Sequence, residues 1–270
     1  MRPVLLPAVV LVLFSCAGTT HQAERRRVVC LVPSVTEIIY AIGVEGALVG
    51  NTNQCDYPEA ARKMNKVGDF LNPDVELIVM LRPGLVIATL PVHRALIEKL
   101  TELKVPVYVS RPAGIEDVLR EIDSVGQLLG AREQAAALAR ALARRLAALP
   151  SFPDTKRVFV EISSTPLVTA GGPSFINELV TRAGGRNVFG SALQDYPVVD
   201  GEAVVRADPE VVLVLHPDVS AAEVVRRVGW SRISAVRAGR VYDGLDEDLL
   251  FRPGPRIVDG IELLAGLLHQ

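Results

Sequence analysis

The chain has little histidine, little cysteine and no surplus of either charge. Two of its four histidines, His21 and His269, lie near the ends, and none of them cluster at ligand spacing, so direct capture of zinc or manganese has no support. Lysine and arginine total 29 against 31 acids, for a net charge of -2. Neither sign dominates, which removes the basic surface that nucleic acid or an acidic membrane would need. Serines stand at several strand-to-helix turns, yet no Gly-x-Ser-x-Gly elbow occurs. Gly172-Pro173-Ser174-Phe175-Ile176 fails at its last position. A secreted serine hydrolase is therefore the weakest function class considered, and no catalytic residue, metal or cofactor is assigned.

Hydrophobic residues make up 49% of the 270, ample for two cores of ordinary size. Residues 1–15 combine a weakly basic start with an apolar stretch from Val4 to Phe14, too short to span a bilayer, and read as a secretory signal. Leu13-Phe14-Ser15-Cys16 is similar to a bacterial lipobox, with Phe14 bulkier than usual there. Cys16 is thus the expected lipid anchor, and residues 16–26 the tether. Cys30 falls in the first strand as a small buried hydrophobe and Cys55 in a loop; a disulfide between them is the open alternative in an oxidising compartment.

A segment occurs twice at a constant offset of 126 residues. Asp74-Val75-Glu76 leads through Ile78-Val79 to Pro83 and Leu85-Val86-Ile87; Asp200-Gly201-Glu202 leads through Val204-Val205 to Pro209 and Val211-Val212-Leu213. Each copy reads as a short helix with an acid in its first turn, feeding a buried strand. The expected fold class is α/β: two Rossmann-like lobes with parallel sheets, joined by one long rigid helix, with the ligand cleft between the lobes. The expected division is an N-terminal lobe over 27–112, linking helices over 113–150 with the backbone helix at 131–149, and a C-terminal lobe over 151–270. That backbone helix would span roughly 27 Å at 1.5 Å per residue.

In the first lobe, Val28 to Val32 reads as a strand running into Pro33-Ser34-Val35-Thr36-Glu37, where Ser34 and Glu37 have capping-box spacing. Capping alone accounts for both residues. A helix opening off a strand's carboxyl end also places Pro33 and Ser34 where open α/β sheets bind ligands. Asn72 is the expected cap of the first repeat helix, with Pro73 at its first position. Leu85 to Thr89 reads as a buried strand, followed by His93 and a helix from Arg94. In the second lobe, Ser174 is the expected cap of a helix to Ala183, and a loop of about a dozen residues, Gly244 to Pro255, carries acids and Phe251 placed to close over a cleft.

The segments Val32 to Ile39, Cys55-Asp56-Tyr57-Pro58, Gly68-Asp69-Phe70, Asp74 to Pro83, Gly184 to Phe189 and Arg252-Pro253-Gly254-Pro255-Arg256, taken in order, resemble the periplasmic cobalamin-binding family of ABC-importer substrate-binding proteins. The resemblance covers about residues 27 to 268 and implies ligand binding between two lobes joined by a rigid helix. It implies a cleft wall from Cys55, Asp56, Tyr57, Phe70 and Tyr196, with Phe70 and Tyr196 where the best-known cobalamin binder has tryptophans. It also implies that Glu76 and Glu202 dock on a two-fold permease; complementing their helix dipoles is the plainer role for both.

These readings favour a monomeric binding protein without chemistry of its own. It would capture a corrinoid outside the cytoplasmic membrane and deliver it to an ABC importer. Haem or a ferric siderophore is the alternative within the class, with Tyr57, Tyr196 or His93 as axial iron ligands; the plain reading of His93 is an exposed loop residue. A lipid-anchored sensor built on the same body is a third reading.

Overall fold

The computed structural model describes residues 27–270. The expected signal, tether and lipid-anchor residue Cys16 lie outside the described residues. Two sheets organise the chain. The first contains β1 (Val28–Cys30), β2 (Leu48–Asn51), β3 (Leu85–Thr89) and β4 (Val107–Ser110), in the order β2-β1-β3-β4, all parallel. The second is built on β5 (Lys156–Ser164), flanked by β8 (Val211–Val214) and then β9 (Val241–Tyr242), all parallel. On its other edge β5 pairs in parallel with β7 (Gly185–Asn187) and, further along, antiparallel with β6 (Leu167–Thr169).

The central strands β1, β3 and β8 are buried on both faces, as parallel sheets covered by helices require, while the edge strands are partly exposed. Val28, Cys30 and Ile87 face one core and Val29, Val86 and Ala88 another, by strict alternation. In the second sheet Val158, Val160, Val211 and Leu213 face inward, while Phe159, Val212 and Val214 face an outer core around Trp230. The inner core is continuous from one lobe to the other. It runs from Val28 and Ile38 through Ile122 and Leu142 to Val160 and Ile261.

The chain crosses between the sheets through two helices, α5 (Ile115–Leu129) and α6 (Arg132–Ala147). Gly130, in the left-handed region at φ 75°, ends the first of them. The helix at Arg132–Ala147, in the place of the backbone helix expected at 131–149, is one arm of a packed pair. A Cβ on Gly126 would collide with the Ala135 methyl, so the second helix packs that methyl directly against the backbone of the first. The second arm spans about 24 Å at 1.5 Å per residue. Its Arg145 bonds Asp259 and Glu262 at 2.7 and 2.8 Å on the last helix, Ile257–Leu268. Both arms contribute buried residues to the shared core, so the connection is packed along its length and not a free hinge.

The two repeat helices have the same design. In α3 (Val75–Met80) the carboxylate of Asp74 accepts from the N–H groups of Glu76 and Leu77 at 2.8 and 3.1 Å. In α8 (Gly201–Ala207) Asp200 accepts from Ala203 N–H at 2.6 Å. Each helix buries one residue at the same offset, Ile78 and Val204, and leaves its glutamate exposed. Asp74, and not Asn72, is therefore the cap. Asp74 N–H is fixed to Val67 O at 2.8 Å, which sets its carboxylate over the first turn and leaves Pro73 before the helix.

The capping box expected at Ser34 and Glu37 does not form. The first helix, α1 (Pro33–Ala41), begins with Pro33 at its first turn, Val32 is the N-cap, and no side chain caps it. A capping box does form at Ser220 and Glu223, where no proline intervenes. Ser174 caps the helix Phe175–Arg182 as expected. The segment Gly244 to Pro255 contains a short helix, α11 (Glu247–Phe251), where a loop was expected.

Candidate functional site: the cleft between the lobes

An apolar-walled cavity of about 530 Å³ opens at the carboxyl ends of β1, β3 and β4, where open α/β sheets leave helix N-termini and turns free to meet a ligand. The first lobe contributes Pro33 and Ser34, Gln54, Phe70, Thr89-Leu90 and Ser110 to Ala113. Asp248, Phe251, Arg252 and Pro253 close it from the second lobe. The walls are mainly apolar with a few polar groups, the composition of a site for an organic ligand.

Four of the residues singled out in the sequence line this cavity: Pro33, Ser34, Phe70 and Phe251. Cys55 is buried behind the wall, its sulfur 3.2 Å from Thr52 Oγ1 and 3.8 Å from Cys30 O. Both thiols are free, so the disulfide alternative is not realised, and burial pushes the Cys30 thiol well above its ordinary range. Lys66 holds the carbonyls of Thr52 and Cys55 at 3.1 Å and so fixes the loop that carries Gln54. Tyr196 is 46% exposed and does not line the cavity.

One wall is an ionic network that crosses between lobes. Glu37, buried on α1, receives both Nε and Nη2 of Arg256 at 2.8 and 2.7 Å, and Nη1 of Arg252 at 3.3 Å. Arg252 also bonds Asp56 and Asp248, each at 2.8 Å. The Arg256 guanidinium lies over the Tyr57 ring at 4.0 Å. Glu37 foremost, against the opposing pull of burial, holds the Arg256 guanidinium above its ordinary pKa. Burial is the largest single effect and acts to raise Asp56, but the bond to Arg252, the charges of Arg252 and Arg62 and a backbone hydrogen bond together outweigh it and hold that carboxyl low. Gly254 lies against Ser34, where a Cβ would stand 3.3 Å from that of the serine. The lobes therefore meet through both packing and charge.

His93 is 1% exposed, contrary to the expected surface loop residue. Its Nδ1 accepts from Thr89 N–H at 3.1 Å and its Nε2 lies 2.6 Å from Phe70 O. Both ring nitrogens are engaged within the protein. Ser174 donates to Gly171 O at 2.7 Å and makes no contact with a base, so no nucleophile is assembled there.

Beneath the first-lobe wall lies a small polar group. Tyr108 OH donates to Glu121 Oε2 at 3.0 Å, while Thr36 Oγ1, Ser110 Oγ and Glu121 Oε1 have no partner among the described residues. Burial drives the Glu121 carboxyl upward and Tyr108 up to about 12. No cluster of metal-ligating side chains occurs among the described residues, and no described helix is long and apolar enough to cross a membrane.

Among the cleft residues that the sequence reading missed are Gln54, Leu90, Ser110, Arg111, Asp248 and Arg252. Leu90 and Ser110 were detectable as positions at the ends of buried strands. The run Arg252 to Arg256 was visible as a motif, but nothing local linked it to Glu37.

The pattern of the periplasmic binding protein family matches residues 28–247. An uncharacterized ABC transporter substrate-binding lipoprotein, YvrC of Bacillus subtilis (strain 168), is 34% identical over 93% of this chain and 82% of its own length. A vitamin B12-binding protein of Vibrio parahaemolyticus is 31% identical over 92% of this chain and 91% of its own. Among solved structures, a periplasmic heme binding protein from Pseudomonas aeruginosa superposes with a TM-score of 0.75 at 26% identity, over 90% of this chain and 92% of that one. The chain belongs to the periplasmic binding protein family, whose members are binding proteins and not enzymes.

Proposed function

We propose that this periplasmic binding protein captures a corrinoid outside the cytoplasmic membrane and delivers it to an ABC importer. The observation that carries the corrinoid reading is the chemistry of the cleft wall. Its lining is proline, valine, leucine, alanine, phenylalanine, serine, threonine, glutamine and a few charges, and no histidine, tyrosine, cysteine or methionine stands among the described residues that line it. A haem iron draws an axial ligand from that set, whereas a corrinoid brings its cobalt already coordinated by its own ring and axial groups. Similarity to a vitamin B12-binding protein over nine-tenths of both chains supports the same choice.

Affinity then comes from burying the macrocycle between walls already near their bound geometry. The continuous core and the Glu37 network lower the cost of ordering the site. Glu76 and Glu202, exposed at matching points of the two repeat helices, are the proposed contacts for a two-fold permease. Cys16 is the proposed lipid anchor, and the protein acts as a monomer at the outer face of the membrane.

Haem is the second reading. It rests on the similarity to a periplasmic heme binding protein and on Tyr57, which is 47% exposed beside the cleft. Calorimetric titration of ligand-free protein with cyanocobalamin and, separately, haemin tests both. Tight one-to-one cyanocobalamin binding with weak haemin binding is the expected result. Tight haemin binding alone, with a tyrosinate-type absorption band, would move the substrate to haem.

A further inference from the structure

We infer that His93 is a positioning residue for ligand capture: it fixes Phe70 in the cleft wall from behind and does not itself meet the ligand. This rests on the cleft between the lobes being the ligand site, and it holds whichever flat ligand enters.

The argument starts from the hydrogen bonds. An imidazole nitrogen that accepts from a backbone N–H carries no proton, so the Thr89 N–H bond to Nδ1 at 3.1 Å leaves the proton on Nε2. Nε2–H then donates to Phe70 O at 2.6 Å. The Phe70 peptide is held on its other side as well, its N–H donating to Gln54 Oε1 at 2.7 Å. The phenyl ring packs edge-on against the imidazole, with centroids 5.1 Å apart and planes at 68°. Phe70, Thr89 and Gln54 all line the cavity, while His93 lies buried behind them.

Residues 70–72 have no regular structure of their own, and Gly68, at φ 98°, turns the chain into them. A segment without a helix or sheet ladder keeps its place through such side-chain anchors. Without the imidazole, the Phe70 carbonyl and the Thr89 N–H would both lose their partners on one side of the cleft. Burial lowers the His93 pKa, which keeps the neutral form that this pairing requires.

The test uses His93→Leu, which fills volume without hydrogen bonds, and His93→Gln, whose amide nitrogen reaches the place of Nε2. In ligand-free protein, amide exchange over residues 68–74 should accelerate roughly 10-fold or more in the leucine variant and recover in the glutamine variant. Unchanged exchange in that segment overturns the inference, whether or not any ligand is found. If wild-type protein binds neither cyanocobalamin nor haemin, the proposed substrate fails, and exchange still decides the role of His93.

With a bound probe, His93→Leu should weaken cyanocobalamin binding about 10-fold in the wild-type background and less than about 2-fold in Phe70→Ala, because one residue acts through the other. Equal losses in both backgrounds overturn the inference. A haemin absorption band altered by His93→Leu would make the histidine an iron ligand and would also overturn it.

Discussion

Glu37 and Arg256 stand 219 positions apart and meet in a two-pronged ion pair at 2.8 and 2.7 Å. One belongs to the first helix of the N-terminal sheet's lobe, the other to the turn before the last helix. Their pairing sets the spacing of the cleft walls, because the same carboxylate also reaches Arg252, whose side chain lines the cavity. The Glu37 side chain is 2% exposed, so the two guanidiniums take the place of the water that would otherwise surround the carboxylate.

Replacing Glu37 with alanine should therefore destabilise the fold by about 3 kcal/mol, since it leaves two half-buried arginines without their common partner. Glutamine should cost less by keeping one acceptor. Chemical denaturation of the two variants checks this, and a loss below about 1 kcal/mol for alanine would show that Asp56 and Asp248 suffice.

Glu121 gives a prediction in pH. Burial raises its pKa in the folded protein. Below the ordinary carboxylate range both folded and unfolded chains hold the proton, and the group costs nothing. As pH rises through that range the unfolded chain releases its proton first, so folding is penalised, and the penalty persists once both forms are ionised. Glu121→Gln should thus raise the melting temperature at pH 7.5, while the gain should vanish near about pH 4. Its amide carbonyl can still accept from Tyr108 OH. An equal gain at both pH values would assign the effect to packing.

Phe70 and Tyr196 are expected to differ as ligand contacts. Phe70 lines the cavity, whereas Tyr196 is half exposed and outside its lining. Phe70→Ala should cost roughly 1 to 3 kcal/mol of cyanocobalamin affinity, and Tyr196→Ala less. Titration of both variants decides the order; a larger loss at Tyr196 would mean that the lobes close further around ligand.

Glu76→Lys together with Glu202→Lys should abolish stimulation of the importer in reconstituted vesicles and leave ligand affinity within about 2-fold. The two glutamates lie on the exposed faces of α3 and α8, and neither lines the cavity. Transport by the double variant at the wild-type rate would remove the docking role.

The sequence by itself determined the repeat, the buried strands and the helices between them. These follow from interactions over a few residues: the uniformly apolar run of Val28 to Cys30, an acid in the first turn of each repeat helix, glycine at the end of Ile115–Leu129. It also marked Pro33, Ser34, Phe70 and Phe251, because a strand end or a motif identifies such positions locally. The tertiary structure decided the rest. Glu37 has the spacing of a capping residue, and only the arrival of Arg252 and Arg256 from the far end of the chain turns it into the centre of an inter-lobe network. His93 follows a strand and has the pattern of a surface histidine; the Phe70 carbonyl, 23 residues earlier, makes it a buried strut. Local periodicity records which face of an element is buried, and carries no information about which distant partner will cover it.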